Sequence, residues 1–230
     1  VERGNFFRKA LLITYRETDD QENLPVAAGS GWMAYAASRI YRAQLGNETL
    51  KSFRWLNETK VGPGLGSGEV TRNSIINEPV VTLEDRNPDR TDILHEYFVG
   101  FDAFESFLSA CREVIPASYQ EFLNVTLRYV AQDDLSVLSF ARVPRIAAVM
   151  SFSQELTERG EADQARMTRE LIDRIVEIGG TYYLPYRPHA TLDQLTKSYP
   201  QAEEFSMAKR EIDPDLVLRN NLWDQYLGQL

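Results

Sequence analysis

The sequence predicts an α+β fold, in which an antiparallel sheet has helices packed on one face, with ferredoxin-like elements in its second half. The first observation is the strict alternation of apolar and polar residues over 122–130, which is typical of a half-buried strand. The second is the order strand, helix, strand, which occurs twice between 92 and 186. Because these strands alternate instead of being apolar throughout, they indicate an antiparallel sheet that is covered on one face.

The first half of the chain carries weaker patterns. Residues 6–17 are rich in β-branched and aromatic side chains and predict an opening strand. Apolar residues at helical spacing predict an amphipathic helix from about 31 to 44, and a second short helix is predicted over 48–58. The glycine-rich stretch "GPGLGSGEVTRNSIINEPV" lacks the strand and helix context of a dinucleotide fingerprint and the Lys-Ser/Thr ending of a P-loop. A flexible or pocket-lining loop is therefore favoured there over a nucleotide loop.

The second half predicts strands and helices in regular alternation. Strands are expected at 92–99, 122–130, 145–153 and 181–186, and helices at 101–115, 157–178, 190–197 and 201–211. The long charged helix is predicted to stop at Gly179-Gly180, because glycine readily adopts the left-handed conformation that ends helices. The sequence contains no repeat, coiled coil or low-complexity block, so we expect a single domain over 1–230.

Composition and charge limit the classes of function. The 34 acidic residues against 25 basic ones give a net charge of −9, which argues against nucleic acid and anionic membranes as partners. The single Cys111 excludes an internal disulfide, and with only two histidines it cannot form a Cys/His zinc site, so we expect no metal. No run approaches the roughly 20 apolar residues of a spanning helix and no signal peptide is predicted, so we expect a cytoplasmic protein. The start at Val1 indicates either processing or a piece of a longer protein.

One strand and one turn carry the candidate site. Asn124, Thr126 and Arg128 lie on the same face of the predicted strand, and this face must meet water, a ligand or another domain. A solvent-exposed strand face is the plainer interpretation. The ligand interpretation gains weight if the turn at His189 lies beside the row, and we predict that the row and His189 line one concavity.

Glu96 and the residue before it have different predicted surroundings. Glu96 lies between Leu94 and Phe98 on one strand face, so it is either an edge residue in water or a buried carboxylate that needs a partner. His95 lies on the opposite face and is expected to be a packed histidine, while the tyrosines of 181–186 are expected in the core and at its rim. Neither histidine stands in a nucleophile-elbow context, so no Ser-His-Asp triad is predicted and a hydrolase is disfavoured.

Four stretches of the second half, in their order and spacing, carry a resemblance to a known family. They are "TDILHEYFVGFDAFESFL", "LRYVAQDDLSVLSFAR", "YLPYRPHATLDQLTKSYPQAEEF" and "KREIDPDLVLRNNLWDQYL". Together they resemble the C-terminal substrate (cap) domain of FAD-linked oxidases of the vanillyl-alcohol oxidase type, most of all the sugar-lactone and alditol oxidases. The resemblance covers about Thr91 to Leu230, and residues 1–90 fit the more variable start of such a domain.

The resemblance implies a function that this chain performs together with a second domain. In that family a separate N-terminal domain holds FAD through a glycine-rich pyrophosphate loop, and this chain looks like the C-terminal portion of such a longer flavoenzyme. The implied activity is hydride transfer from an alcohol or lactone-type substrate to flavin. The implied partners are its own FAD-binding domain and a small-molecule substrate. A flavin-dependent double-bond reductase and a non-catalytic ferredoxin-like binding module are the alternatives.

Two strand motifs of the family carry over onto this sequence. The family's Glu-x-Arg motif falls on Thr126 to Arg128, so the arginine is present and threonine replaces the carboxylate. The resemblance implies that Arg128 anchors or polarises the substrate oxygen, with Asn124 and Thr126 as substrate contacts on the same face. The Glu-Tyr-Phe-Val-Pro motif begins at Glu96 and ends on Gly100 in place of proline, which implies a substrate contact at Glu96.

Two motifs in turns complete the resemblance. Arg187, Pro188 and His189 match the first half of the family's Arg-Pro-His-Trp-Gly-Lys turn, while its last three residues are replaced. The match implies a substrate contact at Arg187 and, at His189, a general base or hydrogen-bond partner for the substrate hydroxyl. The terminal Asp-Pro-x-x-Lys-Phe-x-Asn motif is met at its first two positions and at Asn220, an implied cofactor contact, whereas Val217 replaces its lysine.

Purified 1–230 is expected to be colourless and to bind no FAD alone, because in the family this chain resembles the pyrophosphate loop belongs to the other domain. The measurement is the visible spectrum of the protein after incubation with FAD and gel filtration. A flavin absorption band at about 450 nm that elutes with the protein would contradict this expectation.

Overall fold

The structure, a computed structural model, describes residues 8–9, 11, 14–22, 39–61, 69–73 and 87–230. The contacts within the chain divide it into two units, Val1–Pro88 and Asp89–Leu230. The expectation of one domain over the whole chain stays a prediction.

The first unit is helical in much of its described part. Residues 39–43 are helical, and helix α1 covers Glu48–Leu56 and continues as a π-helical turn over Asn57–Val61. The side chain of Asn47 caps α1, because its Oδ1 atom accepts a hydrogen bond from the Leu50 amide at 3.0 Å. The second predicted helix of the first half is therefore confirmed.

Other predictions for the first half fall wholly or partly outside the described residues. The helix predicted from about 31 is described only from 39 onwards. Of the predicted strand 6–17, the described residues lie in no strand. The run "GPGLGSG", residues 62–68, lies outside the described part, so its interpretation as a loop stays a prediction.

The second unit is built on one sheet of four strands. They are β1 (Arg90–Val99), β2 (Glu121–Val130), β3 (Arg145–Glu155) and β4 (Thr181–Tyr182). Their order in the sheet is β2-β3-β1-β4, and every neighbouring pair is antiparallel. Helix α2 (Phe104–Val114) connects β1 to β2, and helix α3 (Glu158–Glu177) connects β3 to β4. This β-α-β-β-α-β order is the ferredoxin-like arrangement, so the predicted α+β fold is confirmed.

Strand pleating divides the side chains of the sheet between two faces. On β1, His95 and Tyr97 are buried and point one way, whereas Leu94 and Glu96 point the other way and are more exposed. The β1–β3 register places the buried Met150 opposite His95. We name the side of His95 the helix face and the side of Glu96 the open face.

Both connecting helices pack on the helix face. The ring centroid of Phe107 in α2 lies 6.5 Å from that of Tyr97, and the Thr168 hydroxyl of α3 lies 3.2 Å from the His95 ring. The layer between α3 and the sheet is filled by four buried side chains: Met167, Leu171, Ile172 and Ile175. The exposed polar residues of β2 lie on the open face instead, as the alternation of 122–130 predicts.

Three shorter helices follow β4: α4 (Leu192–Ser198), α5 (Ala202–Ile212) and α6 (Asn221–Gln225). Helix α4 begins with a capping box, in which Thr191 and Gln194 exchange side-chain and backbone hydrogen bonds. The Tyr226 hydroxyl donates to the Ala190 carbonyl at 2.8 Å, which ties the end of the chain to the start of α4. Both short helices predicted after residue 190 are confirmed.

In the described part of the chain, none of the helices combines the length and apolar character that a bilayer span requires.

The strand predicted over 181–186 is shorter than expected. Only its first two residues pair with β1, and one further bond joins the Tyr183 amide to the Glu96 carbonyl at 2.9 Å. Pro185 has no amide hydrogen to continue this ladder, so the chain leaves the sheet before it. The turn that follows runs past the edge of β1.

Helix α3 ends in a Schellman motif, as the glycine pair predicts. Gly179 has a φ of 72°, its amide donates to the Val176 carbonyl at 2.9 Å, and the Gly180 amide donates to the Ile175 carbonyl at 2.8 Å. A Cβ atom on Gly180 would lie 2.6 Å from Ile175 Cγ2 and 2.8 Å from the Phe98 carbonyl oxygen. Gly180 is therefore the point at which the end of α3 approaches the backbone of β1.

Gly180→Ala is expected to lower the free energy of unfolding by about 2 kcal/mol or more, since its methyl group would overlap the Phe98 carbonyl. Gly179→Asn is the matched control, because asparagine tolerates left-handed backbone and no atom lies within 4 Å of the added Cβ. Its expected loss is about 1 kcal/mol or less. Urea unfolding followed by circular dichroism measures both variants, and equal losses would contradict the close approach at Gly180.

Candidate functional site

The open face of the sheet carries a trough between β2 and β1. Asn124, Thr126 and Arg128 form one wall, and all three are exposed, so the predicted row on one face is confirmed. The floor comes from β3, whose residues on this face are small: Ala147, Val149 and Ser151. Two strand spacings, about 10 Å, separate β2 from β1. Of the floor residues, Val149 and Ser151 are partly exposed, whereas Ala147 is fully buried.

The opposite wall of the trough consists of β1 and the chain that follows β4. Glu96 projects from β1 in the same cross-strand row as Val149 and Thr126. Tyr183 is bonded to the backbone of Glu96, and the ring centroid of Tyr186 lies 5.0 Å from that of Tyr183. A carboxylate and two phenol rings therefore face the polar row of β2.

Aromatic packing closes one end of the trough. Phe98 of β1 stacks on Phe140 from the β2–β3 loop with ring centroids 4.3 Å apart, and Tyr183 meets both rings edge-on. At the other end, an open depression is lined by residues 92–94 and 185–188. The trough is thus shut at its Phe98 end and open toward the edge of β1.

The electrostatics of the trough centre on Glu96. Burial raises the pKa of its carboxyl group above the ordinary glutamate value, and the positive charge of Arg128 opposes this rise. Burial also raises the pKa of the Tyr186 phenol, and the charge of Glu96 adds to the effect. Of the two alternatives for Glu96, the structure favours a partly buried carboxylate with a cationic partner on the same face.

His189 lies on the other side of the sheet, so the predicted concavity shared by His189 and Arg128 is wrong. Its Nε2 atom lies 2.7 Å from Glu161 Oε1 of α3, and its ring centroid lies 5.4 Å from that of His95 on the helix face. Only 5% of the surface of His189 is exposed. The strand pattern could not show this, because a turn has no two-residue period from which the direction of a side chain can be counted.

The turn around Pro188 is bound to α3. The His189 amide donates to the Arg187 carbonyl at 2.8 Å, which closes a γ-turn in which the restricted φ of Pro188 is favourable. The Arg187 guanidinium lies 3.3 Å from Glu161, and Nε of Arg169 donates to the His189 carbonyl at 2.6 Å. Arg187 thus pairs with α3, and the predicted grouping of Arg187 with the row on β2 is not observed.

The two histidines form a neutral, packed cluster. Burial lowers the pKa of His95 to about 3, and its Nε2 atom lies 3.2 Å from the Thr168 hydroxyl. Burial also lowers the pKa of His189, although the Glu161 carboxylate acts in the opposite direction. For Glu161, burial acts to raise the pKa, but hydrogen bonds from Gln154 and His189 outweigh it and the pKa is lowered. Glu161 is therefore ionised near neutral pH and accepts a hydrogen bond from the Nε2–H group of neutral His189. The expectation of a packed His95 is confirmed.

Asn220 has a local structural role. It is the N-cap of α6, where its Oδ1 atom accepts a hydrogen bond from the Trp223 amide at 2.9 Å. This role accounts for an asparagine at the position, and its contact with a cofactor stays a prediction. Among the residues that the structure describes, no three His, Cys, Asp or Glu side chains are grouped as a metal site requires.

Three aromatic residues of the trough were not among the predicted site residues. Tyr183 and Tyr186 belong to a segment expected in the core and at its rim, and Phe140 lies in a loop with no pattern of its own. Only Tyr183 had a signal in the sequence. Tyr182 pairs with Tyr97 on the helix face, so strand alternation places the next residue, Tyr183, on the open face with Glu96. Phe140 and Tyr186 reach the trough through tertiary packing alone.

The protein is expected to lose stability as the pH falls from about 6.5 to 5, because the unfolded chain then binds protons at its histidines more readily than the folded chain, in which the pKa values of both histidines are lowered. Both folded pKa values lie below the ordinary value of 6.5, so this stabilisation is complete above pH 6.5 and is lost below it. The limiting slope is about 1.4 kcal/mol per pH unit for each neutral histidine. Urea unfolding across this pH range measures the slope.

The double variant His95→Gln/His189→Gln is the control. Its free energy of unfolding should lack the part of the pH slope that comes from the two histidines. Glu96 contributes the opposite sign, since a raised folded pKa favours the folded state as the pH falls. Proton NMR of the wild-type imidazole signals gives the same test without a substitution. Ring signals that titrate with the midpoint of exposed histidines would contradict the neutral cluster.

Comparison with known proteins adds no family to this geometry: no family model matches the chain, and no curated protein matches it. The helix face is packed around two histidines, whereas the open face presents a polar trough with a carboxylate and a guanidinium.

Proposed function

We propose that this chain is the substrate-binding half of an FAD-dependent oxidoreductase that transfers a hydride from an alcohol or lactone-type substrate to flavin. The observation that supports this most is the trough on the open face, where Arg128 and Glu96 stand on opposite walls above a floor of small side chains. The resemblance of the second half of the sequence to the substrate domains of FAD-linked oxidases supports the same function.

Arg128 is the anchor for a substrate oxygen in this proposal. A guanidinium keeps its charge at all physiological pH values and presents its donors in a fixed plane, so it binds and orients a hydroxyl or carbonyl oxygen. Asn124 and Thr126 stand on the same wall and offer an amide and a hydroxyl, which both donate and accept hydrogen bonds. Such a wall suits a substrate that carries more than one hydroxyl group.

The described residues fit a flavin that another domain holds. The trough offers a rim formed by Tyr183 and Tyr186, which would exclude water from a reacting carbon. Among the described glycines, the one adjacent pair, Gly179-Gly180, serves to end α3, so the described residues supply no pyrophosphate loop. The FAD-binding domain is therefore the partner in this proposal, and the flavin, when bound, accepts the hydride that leaves the substrate carbon.

The test uses the complete protein in which this chain occurs and a panel of sugar alcohols, aldonolactones and simple secondary alcohols. Arg128→Met is expected to lower kcat/KM by about 10- to 100-fold, because it removes a charge-assisted hydrogen bond worth about 1.5–3 kcal/mol. The measurement is the rate of anaerobic flavin reduction, followed by absorbance in a stopped-flow instrument.

Arg174→Met is the matched control, because Arg174 lies on α3 and pairs at the surface with Glu113 at 3.5 Å. It should leave kcat/KM unchanged, and both variants should keep the flavin content and melting temperature of the wild type. Equal kcat/KM values for Arg128→Met and the wild type would contradict the role of Arg128. A complete protein that binds no flavin and oxidises none of the panel would favour the non-catalytic binding module.

A further inference from the structure

The proposed oxidation needs a group that accepts the hydroxyl proton of the substrate, and both histidines of the chain lie on the wrong face of the sheet to do so. Near the trough, the described titratable side chains on the open face are Asp92, Glu96, Glu121, Arg128, Tyr183 and Tyr186. Arginine and tyrosine side chains keep their protons near neutral pH, so only a carboxylate can accept one. The choice is therefore among Asp92, Glu96 and Glu121, and Glu121 lies in the same cross-strand row as Asp92, two rows from that of Glu96.

Glu96 is held at the centre of the trough, and Asp92 is not. Asp92 is exposed four residues away, which is about 13 Å along a strand. Glu96 is fixed from both sides, because β1 pairs with β3 there and the Glu96 carbonyl accepts the Tyr183 amide at 2.9 Å. Its neighbours His95 and Tyr97 are buried on the helix face, so the strand cannot rotate the carboxylate away from the trough.

The groups across from Glu96 complement it. Thr126 stands in the same cross-strand row with Val149 between them, and Arg128 lies one row further along the same wall. A threonine hydroxyl is not a base near neutral pH, so the part of β2 that lies across from Glu96 supplies hydrogen bonds and positive charge but no proton acceptor. A substrate between the walls thus has its oxygen anchor on one side and a carboxylate on the other.

We propose that Glu96 is the proton acceptor of the alcohol oxidation, an inference that rests on the proposed function. The O–H bond of the substrate hydroxyl breaks, and its proton passes to a carboxylate oxygen of Glu96. The C–H bond on the same carbon also breaks, and its hydrogen leaves with both bonding electrons as a hydride. The oxidant that takes up this hydride would be the flavin, and the C–O bond of the substrate becomes a carbonyl. Glu96 then releases the proton to water, while Arg128 holds the oxygen during the step.

The surroundings of Glu96 suit this role. Partial burial raises the pKa of its carboxyl group, and a carboxylate with a raised pKa is a stronger base. The charge of Arg128 limits the rise and so favours the ionised form that can accept a proton. The Tyr186 phenol lies near both groups, because the charges of Glu96 and Arg128 both act on its pKa.

The main experiment compares pH profiles of flavin reduction in the complete protein. Glu96→Gln keeps the size of the side chain but removes the base, so the rate should fall by roughly 10²-fold or more and the acidic limb of the profile should disappear. Glu113→Gln is the matched control, because Glu113 lies at the surface on α2 and pairs with Arg174 at 3.5 Å. It should keep the rate and the pH profile of the wild type.

A second measurement needs neither flavin nor substrate. Carbon NMR of protein labelled at the glutamate carboxyl groups identifies the Glu96 signal by its loss in Glu96→Gln. Its titration midpoint should lie above that of exposed glutamates and should rise further in Arg128→Met, since the positive charge that opposes protonation is gone. A Glu96 titration midpoint equal to that of exposed glutamates, and unchanged in Arg128→Met, would overturn the placement of Glu96 within reach of the charge of Arg128.

The outcomes separate the two proposals. If alcohols reduce the flavin and Arg128→Met impairs this reaction, but Glu96→Gln matches the wild type in rate and pH profile, the proposed function stands and Glu96 is not the proton acceptor. If the complete protein carries no flavin or none of the panel reduces it, the proposed function fails and the inference on Glu96 fails with it.

Discussion

The pleat of β1 is the constraint on which the second unit depends. This strand lies between β3 and β4, so each of its side chains is committed to one of two faces with opposite character. His95 and Glu96 are neighbours in the sequence, yet one is packed among helices as a neutral ring and the other faces the trough as a carboxylate. A slip of one residue would bury the carboxylate under α3, which would cost several kcal/mol without a partner.

The helix face shows how a turn with an unusual composition is used for anchoring. Pro188 favours the γ-turn, while Arg187 and His189 both reach Glu161 on α3. Because Glu161 stays ionised and His189 stays neutral, the contact is a hydrogen bond from a neutral ring to a carboxylate and not a buried pair of full charges. The turn therefore holds the edge of β1 without requiring a protonated histidine in the core.

The open face keeps its charged groups apart. β3 lies between the strands that carry Arg128 and Glu96, and the two residues are one row apart, so their backbone positions are about 12 Å apart. Val149 and Ser151 stay partly exposed on the floor of this space, and the stacked rings of Phe98 and Phe140 close one end of it. In the proposed reaction this separation leaves a place for the substrate between the guanidinium, which would anchor its oxygen, and the carboxylate, which would accept its proton. The two proposals thus depend on the same geometry and differ in the residue that each one tests.

Local sequence patterns were sufficient for most of the second unit. The alternation of 122–130 indicated β2 and its exposed row. The strand period around Glu96 placed its side chain on the opposite face from that of His95, and Gly179-Gly180 marked the end of α3. These features are readable because strand and helix periods repeat along the chain, and because glycine is the residue that most easily adopts a left-handed φ.

Tertiary structure decided where the turn after β4 goes and therefore which residues share a site. Tyr182 ends the ladder, and beyond it no period tells on which face a side chain lies. The direction of His189 was set by Glu161, which is 28 residues away in the sequence, and by burial against His95. The sequence by itself determined the strands and helices and the faces of their side chains. The pairing of the turn with α3, and with it the separation of His189 from Arg128, came from packing between segments that no local pattern connects.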